Sequence, residues 1–100
     1  MVKFKLKIYS VAKKDLYDIA DYINSLFPDA AKRQFDTIIE KISTLTQMPE
    51  RCPLLKDNNL RLKGYRALKV NNYIVFFVIK GETVQIRRIL YGKRNYEWLL

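Results

Sequence analysis

Residues 65–90 read YRALKVNNYIVFFVIKGETVQIRRIL and decide the fold, because they contain three β-rich runs separated by two short turns. The three runs are residues 65–70, 73–79 and 83–90. Asn71-Asn72 tolerates the positive φ of a two-residue hairpin turn, and Lys80-Gly81-Glu82 supplies the next turn. The middle run is apolar at almost every position, which is typical of a strand covered on both faces. We therefore predict a three-stranded antiparallel meander.

The residues before this meander predict one further strand and two helices. Residues 2–9 alternate between apolar side chains on one side and Lys or Tyr on the other, the period of a half-buried strand. Two stretches of apolar residues spaced three or four apart then predict amphipathic helices, with Ser10 as the first N-cap and Pro28-Asp29 as the boundary between them. The predicted order is β-α-α-β-β-β, an α+β fold with a helical hairpin packed on one face of the sheet.

The composition excludes several classes of site. The chain has 100 residues, of which 49% are hydrophobic, so we expect a single domain over residues 1–100. With no histidine and one cysteine, Cys52, it cannot form an internal disulfide, an ordinary zinc site or a histidine-dependent triad. Its three glycines are too far apart for a phosphate-binding glycine loop. We therefore expect no metal ion and no cofactor.

Positive charge is concentrated at the two ends of the chain. The 19 lysine and arginine residues exceed the 10 acidic residues, which gives a net charge of +9. Residues 1–14 carry +5, residues 15–50 carry −4 and residues 51–100 carry +8. Such clustering favours a polyanionic or acidic partner. No apolar run approaches the roughly 20 residues of a membrane helix and no secretory signal is recognisable, so we expect a cytoplasmic protein.

This pattern assigns the cations mainly to the strands and the carboxylates mainly to the helices. The sheet face away from the helices is then free to gather cations near aromatic side chains, which suits phosphate backbones and unstacked bases. The candidate binding residues are Arg61, Lys63, Arg66, Lys69, Arg87, Tyr91, Lys93 and Arg94. Adjacent Arg87 and Arg88 should point to opposite faces unless a β-bulge intervenes. The arginine on the helix side needs either a carboxylate partner from a helix or a functional contact.

Other charged residues have simpler explanations. Lys3, Lys5 and Lys7 protect an edge strand against pairing with a second sheet. Asp15, Asp18 and Asp21 have the spacing of a solvated helix face.

Four motifs follow one another along the chain. They are Ala12-x-x-Asp15-Leu16-x-x-Ile19-x-x-Tyr22-Ile23; Ile42-x-x-Leu45 before Pro49; Arg66-x-Leu68-x-Val70-x-Asn72-Tyr73-Ile74-Val75-Phe76-Phe77; and Val84-x-Ile86-x-Arg88-Ile89-Leu90-Tyr91-Gly92-Lys93-Arg94-x-Tyr96-x-x-Leu99-Leu100. In this order and spacing, within a basic chain of 100 residues, they resemble the RelE/ParE superfamily of toxins from bacterial toxin–antitoxin pairs. The resemblance covers the whole chain.

The resemblance implies a curved antiparallel sheet with a helical hairpin on one side, in agreement with the predicted element order. It also implies the toxin of a type II, plasmid-stabilisation module, which arrests growth and is wrapped by an acidic antitoxin. Because complementary fields raise association rates, an acidic antitoxin explains the net charge of +9 as well as a nucleic acid does.

One branch of the superfamily implies an enzyme. RelE-like toxins resemble metal-independent endoribonucleases that cut mRNA in the ribosome, where cations stabilise the phosphorane and a polar group moves the proton. The resemblance assigns Arg94, Arg66 and Tyr96 to such a catalytic set. However, Ile74 stands where the RelE pattern has its transition-state arginine, and Leu100 stands at the terminal tyrosine position. The ribonuclease set is therefore incomplete.

The ParE-like branch is more similar to this chain. The shared features are two full-length helices, the apolar strand at residues 72–77, and the ending at residues 88–96 followed by Leu99-Leu100. Such toxins poison DNA gyrase and have no recognised catalytic site. The leading hypothesis is therefore a gyrase-directed toxin. The alternatives are a ribosome-dependent mRNA endoribonuclease and an inactivated or non-enzymatic RNA-binding homologue.

Overall fold

The helices and strands follow one another in the predicted order. The computed structural model describes residues 3–92 and 99–100. The elements are β1 (Lys5–Ile8), α1 (Ser10–Leu26), α2 (Pro28–Ser43), α3 (Asn58–Leu62), β2 (Tyr65–Val70), β3 (Tyr73–Lys80) and β4 (Thr83–Tyr91). Two 3-10 turns, Thr44–Thr46 and Pro49–Arg51, lie between α2 and α3. The predicted α+β architecture is confirmed, with α3 as an additional short helix in the polar stretch before β2.

Within the described residues the strands form a sheet in the order β1-β4-β3-β2. β2, β3 and β4 are the antiparallel meander, with Val70 opposite Tyr73 and Lys80 opposite Thr83 across the two turns. β1 pairs with β4 in parallel, which the long connection through the helices and the meander permits. The first strand therefore lies at an edge, as predicted, and its pairing makes that edge parallel.

The two hairpin turns contain residues in the left-handed region. Asn71 has φ 54°, which asparagine adopts more readily than most residues, and Gly81 has φ 59°. A Cβ built on Gly81 would have no heavy atom within 4 Å, so only its backbone angle restricts this position. The sequence prediction of a positive φ in the first turn is confirmed at Asn71.

The helical hairpin begins at Tyr9, which is the N-cap of α1 and makes no capping bond through its side chain. The prediction that Ser10 is the N-cap is wrong, because Ser10 is already the first helical residue. Phe27 separates the two helices, and Pro28 begins α2 where its missing N–H group leaves no hydrogen bond unmade.

The sheet buries apolar side chains on both faces. On the helix face, Val75 and Phe77 of β3 pack in a core with residues of α1 and α2, among them Leu16 and Ile38. The opposite face, which we call the open face, carries a second core. Its buried members are Leu60, Tyr65, Phe76, Val78 and Leu90, and Leu99 and Leu100 pack against them. The prediction that β3 is covered on both faces is confirmed, since residues 75–78 are at most 2% exposed.

Candidate target-binding surface

Two exposed lysines of β1 lie on the open face. Their neighbours Leu6 and Ile8 pack in the core on the helix face, so Lys5 and Lys7 point to the other side of the strand. In the parallel register Lys7 lies beside Gln85 of β4. The open face is therefore apolar at its centre and cationic along its β1 edge.

Arg87 is the extra residue of a β-bulge in β4. Phe76 of β3 pairs with Arg88 and the next residue, Phe77, pairs with Ile86, so Arg87 has no residue opposite it in β3. Such a bulge is the one condition under which the sequence did not predict that Arg87 and Arg88 point to opposite faces. It changes which side chains of β4 reach each face beyond this point.

The guanidinium of Arg87 is held in a defined position on the open face. Its Cζ lies 4.7 Å from the ring centre of Tyr9 and 5.9 Å from that of Tyr65. Its Nε and Nη2 donate to Oε1 of Gln85 at 3.3 and 2.7 Å. The ammonium of Lys7 lies 5.5 Å from the Tyr9 ring centre. We call these five residues the Arg87 cluster: Lys7, Tyr9, Tyr65, Gln85 and Arg87.

Arg88 forms a largely buried ion pair with Asp15 of α1. Arg88 Nε and Nη2 donate to the two carboxylate oxygens at 2.7 and 2.9 Å, and their side chains are 18% and 11% exposed. The backbone N–H of Ile89 also donates to Asp15, at 3.0 Å. The hydrogen bond to Asp15 raises the pKa of Arg88 above its ordinary value. The expectation that Asp15 lies on a solvated helix face is wrong, and a carboxylate partner for one of the paired arginines is confirmed.

Arg66 lies on the helix face, away from the Arg87 cluster. It pairs with Phe77, a member of the core on that face. Its Nη1 donates to the carbonyl oxygen of Cys52 at 2.6 Å and to that of Glu50 at 3.2 Å. The guanidinium thus closes the loop that contains the second 3-10 turn onto the edge strand β2.

Three further candidate cations lie near the β2 edge of the sheet. Arg61 belongs to α3, Lys63 follows it, and Lys69 is opposite Ile74 of β3. All three are exposed, and none forms an ion pair with any residue that the structure describes. The structure therefore places them across the second core from Lys5 and Lys7.

Tyr91 lies on the side of the sheet that faces α1. It pairs with Tyr73, and the two rings meet edge to face with centres 5.8 Å apart. Burial, with Tyr91 as a smaller cause, raises the pKa of Tyr73. Both tyrosines line a groove of about 580 Å³ between α1 and the end of β4, together with Asp18 and Tyr22. This groove does not include the Arg87 cluster.

The candidates Lys93, Arg94 and Tyr96 lie outside the described residues. Among the residues that are described, the sequence predicted no site role for Tyr9 or Gln85, and the spacing of Asp15 predicted a solvated helix face. The alternation of residues 2–9 did place Tyr9 on the lysine side of the first strand. Nothing in the sequence indicated that this strand pairs beside β4, which is what brings Tyr9 to Arg87.

Residues 3–92 and 99–100 contain neither a metal-binding cluster nor a membrane-spanning helix. This part of the chain contains no cluster of three or more Cys, Asp or Glu side chains with the geometry to hold a metal ion. None of its helices combines the length and apolar character needed to cross a bilayer.

Comparison with known proteins identifies the family. Residues 6–96 match the model of a family described as the ParE toxin of the type II toxin–antitoxin system parDE. The fold is similar to a chain of the chromosomal ParDE toxin–antitoxin system of P. aeruginosa, with a TM-score of 0.79, 24% identity, and coverage of 93% of this chain and 100% of that chain. It is also similar to a chain of the RelBE2 toxin–antitoxin complex of Mycobacterium tuberculosis, with a TM-score of 0.68, 21% identity, and coverage of 90% and 99%.

No curated protein matches the sequence significantly. The match to the family model nevertheless spans nearly the whole chain, from β1 into the residues beyond β4. The chain belongs to the ParE toxin family and is the toxin of a type II toxin–antitoxin module.

Proposed function

We propose that this toxin arrests growth by acting on DNA gyrase and that it does not cut mRNA. Its membership of the ParE family supports gyrase as the target, because ParE-like toxins act there without a recognised catalytic site. The observation that carries the second half of the proposal is the apolar environment of Ile74, the position where RelE-like toxins have an arginine.

Ile74 cannot supply the positive charge that stabilises the transition state of RNA cleavage. Its side chain packs against the second core, with Leu90 opposite it in β4 and Lys69 opposite it in β2. A phosphorane gains a negative charge that preorganised cations must stabilise, and an alkyl side chain supplies none. Lys69 is an exposed lysine on the edge strand, without the fixed fork of donors that an arginine presents.

Arg66, the second candidate of the ribonuclease set, also argues against cleavage. Its Nη1 binds two loop carbonyl groups on the helix face, so its position is explained by the fold. A guanidinium held in this way does not reach a substrate on the open face. This leaves Arg94 and Tyr96, both outside the described residues, as the remaining members of that set.

We assign target binding to cations that the fold does not use internally. Arg61, Lys63 and Lys69 are exposed near the β2 edge of the sheet. The resemblance to ParE-like toxins adds Lys93 and Arg94 in the C-terminal segment. Arg94 is the residue whose loss we expect to relieve toxicity without unfolding the protein.

The test combines growth with two purified target systems. Induction of the gene without an antitoxin is expected to arrest bacterial growth, and Arg94→Ala is expected to relieve the arrest while the circular dichroism spectrum stays unchanged. Purified toxin is then added to a gyrase supercoiling assay and to translating ribosomes. We expect loss of supercoiling and intact mRNA. The matched control is Lys41→Ala, which removes an exposed cation from α2.

Three outcomes would contradict the proposal. Normal growth on strong induction would show that the protein is not toxic. Cleaved mRNA with undisturbed supercoiling would establish the endoribonuclease alternative. Binding to RNA with neither effect would favour an inactive RNA-binding homologue.

A further inference from the structure

We propose that Lys5 and the Arg87 cluster form a binding site for the phosphate groups of a nucleic-acid backbone. Gln85 binds the side edge of the Arg87 guanidinium, through Nε and Nη2. Within the described residues no hydrogen bond from Nη1 is found. The end of the guanidinium, formed by Nη1 and the second Nη2 hydrogen, is therefore free to act as a fork. Such a fork matches the oxygen pair of a phosphate group.

The cations of this site form no ion pair with any carboxylate in residues 3–92 and 99–100. Lys5 and Lys7 are exposed on β1 opposite Thr83 and Gln85 of β4, and Arg87 follows two residues after Gln85 on that strand. The described part of the chain has ion pairs at Lys14, Lys32 and Arg88 only. Three cations near one sheet edge, with no described carboxylate within 4 Å, create a positive potential that attracts a polyanion.

The site is also preorganised. Oε1 of Gln85 accepts from the hydroxyl of Tyr9 at 3.2 Å as well as from Arg87, so the amide and the guanidinium fix each other. The Tyr9 ring approaches Arg87 from the end of β1, and the Tyr65 ring approaches it from β2, on the other side of β4. An arginine that is already ordered loses less side-chain entropy when it binds a ligand.

The distribution of exposed apolar residues favours a nucleic acid over an acidic protein at this site. Large apolar side chains are exposed mainly on the helical hairpin, for example Tyr17, Tyr22 and Phe27. Protein interfaces are enriched in such aromatic residues and depleted in lysine. The β1 edge instead presents lysines, which contact phosphate as point charges.

The site recognises phosphate and does not read bases. Tyr65 is only 5% exposed, so its ring supports Arg87 and offers no surface on which a base could stack. Phosphate contacts position a protein without reading sequence, and the same groups occur in DNA and RNA. The inference therefore does not depend on which target the toxin has.

Fluorescence anisotropy of labelled nucleic acids tests the site. The probes are a duplex DNA and a single-stranded RNA of random sequence, titrated with purified toxin at several salt concentrations. We expect Arg87→Gln to weaken binding of both probes about threefold to tenfold and to lower the slope of log K against log salt by about 1. Lys7→Gln, which removes a charge without a described hydrogen bond, should have a similar effect. The control is Lys41→Gln, the same charge loss on the helical hairpin.

Several results would overturn the inference. Equal weakening by Lys41→Gln and Arg87→Gln would mean that net charge, and no particular site, determines binding. A labelled polyglutamate peptide that binds as tightly as DNA and loses affinity on Arg87→Gln would identify a surface for acidic proteins. A loss confined to one of the two nucleic acids would contradict recognition through phosphate. These readouts are binding constants, so they are independent of growth arrest and supercoiling.

Discussion

At the scale of single residues, three arginines of the meander have three different roles. Arg66 binds loop carbonyl groups, Arg88 binds a buried carboxylate, and Arg87 lies between two tyrosine rings with part of its guanidinium free. The location determines the role, because Arg66 lies on the helix face and the Arg88 side chain is only 18% exposed. Of the three, only Arg87 presents its guanidinium on the open face.

We predict that Asp15→Asn destabilises the protein by about 2–4 kcal/mol, because it leaves the largely buried Arg88 guanidinium without a counter-charge. The substitution also weakens the acceptor of the Ile89 N–H at the edge of β4, where β1 has already ended. Urea denaturation measures the change in the free energy of unfolding. Since small domains are stable by about 5–15 kcal/mol, the variant should remain folded.

Asp18→Asn is the matched control for this prediction. Asp18 lies on the same helix and pairs with Lys14, but both side chains are more than half exposed. Water and salt screen such a pair, so the denaturation midpoint should not move. Equal effects of the two substitutions would show that the Asp15–Arg88 pair stabilises the protein no more than the exposed Lys14–Asp18 pair does.

A second prediction concerns Arg66 and the thiol of Cys52. Burial raises the pKa of this thiol, so at pH 8 it should react slowly with a disulfide reagent in the native protein. Arg66→Ala removes the donor to the Cys52 carbonyl group and should cost about 1–2 kcal/mol and accelerate the reaction. Lys69→Ala, on the same strand but exposed, should leave the reaction rate unchanged. An unaltered rate in Arg66→Ala would mean that Arg66 does not close the loop.

At the scale of secondary structure, the sequence predicted the elements well and their contacts less well. The alternation and turn residues of 65–90 were sufficient for the meander, because each hairpin is decided by neighbours in the chain. The parallel pairing of β1 depends on a contact between residues 5–8 and 83–86, which no local pattern encodes. The bulge at Arg87 could not be predicted from the sequence either, because it is defined by the pairing of β4 with β3.

Contacts between distant parts of the chain also explain why the candidate site was predicted only in part. Arg87 was recognised as a candidate from its charge. Its partner Tyr9 comes from the other end of the chain, whereas Gln85 lies two residues before Arg87 and so shares its face of the strand. Asp15 looked solvated because its spacing on α1 matches an exposed face. Long-range contacts therefore determined the roles of Tyr9 and Asp15.

A third prediction belongs to the second hairpin. Gly81 has φ 59°, where an L residue with a Cβ is disfavoured, and no neighbouring atom would obstruct that Cβ. Gly81→Ala should therefore destabilise the protein by about 1 kcal/mol through the backbone alone. Gly81→Asn should cost less, because asparagine enters the left-handed region more readily. Thermal unfolding of the two variants measures the difference, and equal melting temperatures would show that the turn adopts another conformation.

At the scale of the whole molecule, charge and apolar surface are separated. The helical hairpin carries most of the carboxylates and the exposed aromatic residues, whereas the two edges of the sheet carry cations that form no ion pair with any described residue. A toxin of a type II module is paired with an antitoxin, so this separation gives the molecule one surface suited to a protein and another suited to a polyanion. The net charge of +9 produces a long-range electric field that acts on partners approaching either surface.

The last prediction follows from the electric field that this net charge produces. If the antitoxin is acidic, its association with the toxin is steered by charge, and the association rate should fall about tenfold or more as salt shortens the range of the field from about 30 Å at 0.01 M to about 3 Å at 1 M. The dissociation rate should change little, because short-range contacts determine it. Stopped-flow measurements on Lys5→Gln/Lys7→Gln and on Lys13→Gln/Lys41→Gln compare equal charge losses on the sheet edge and on the helices. Both should slow association at low salt and neither at high salt; an association rate independent of salt would show that steering is absent.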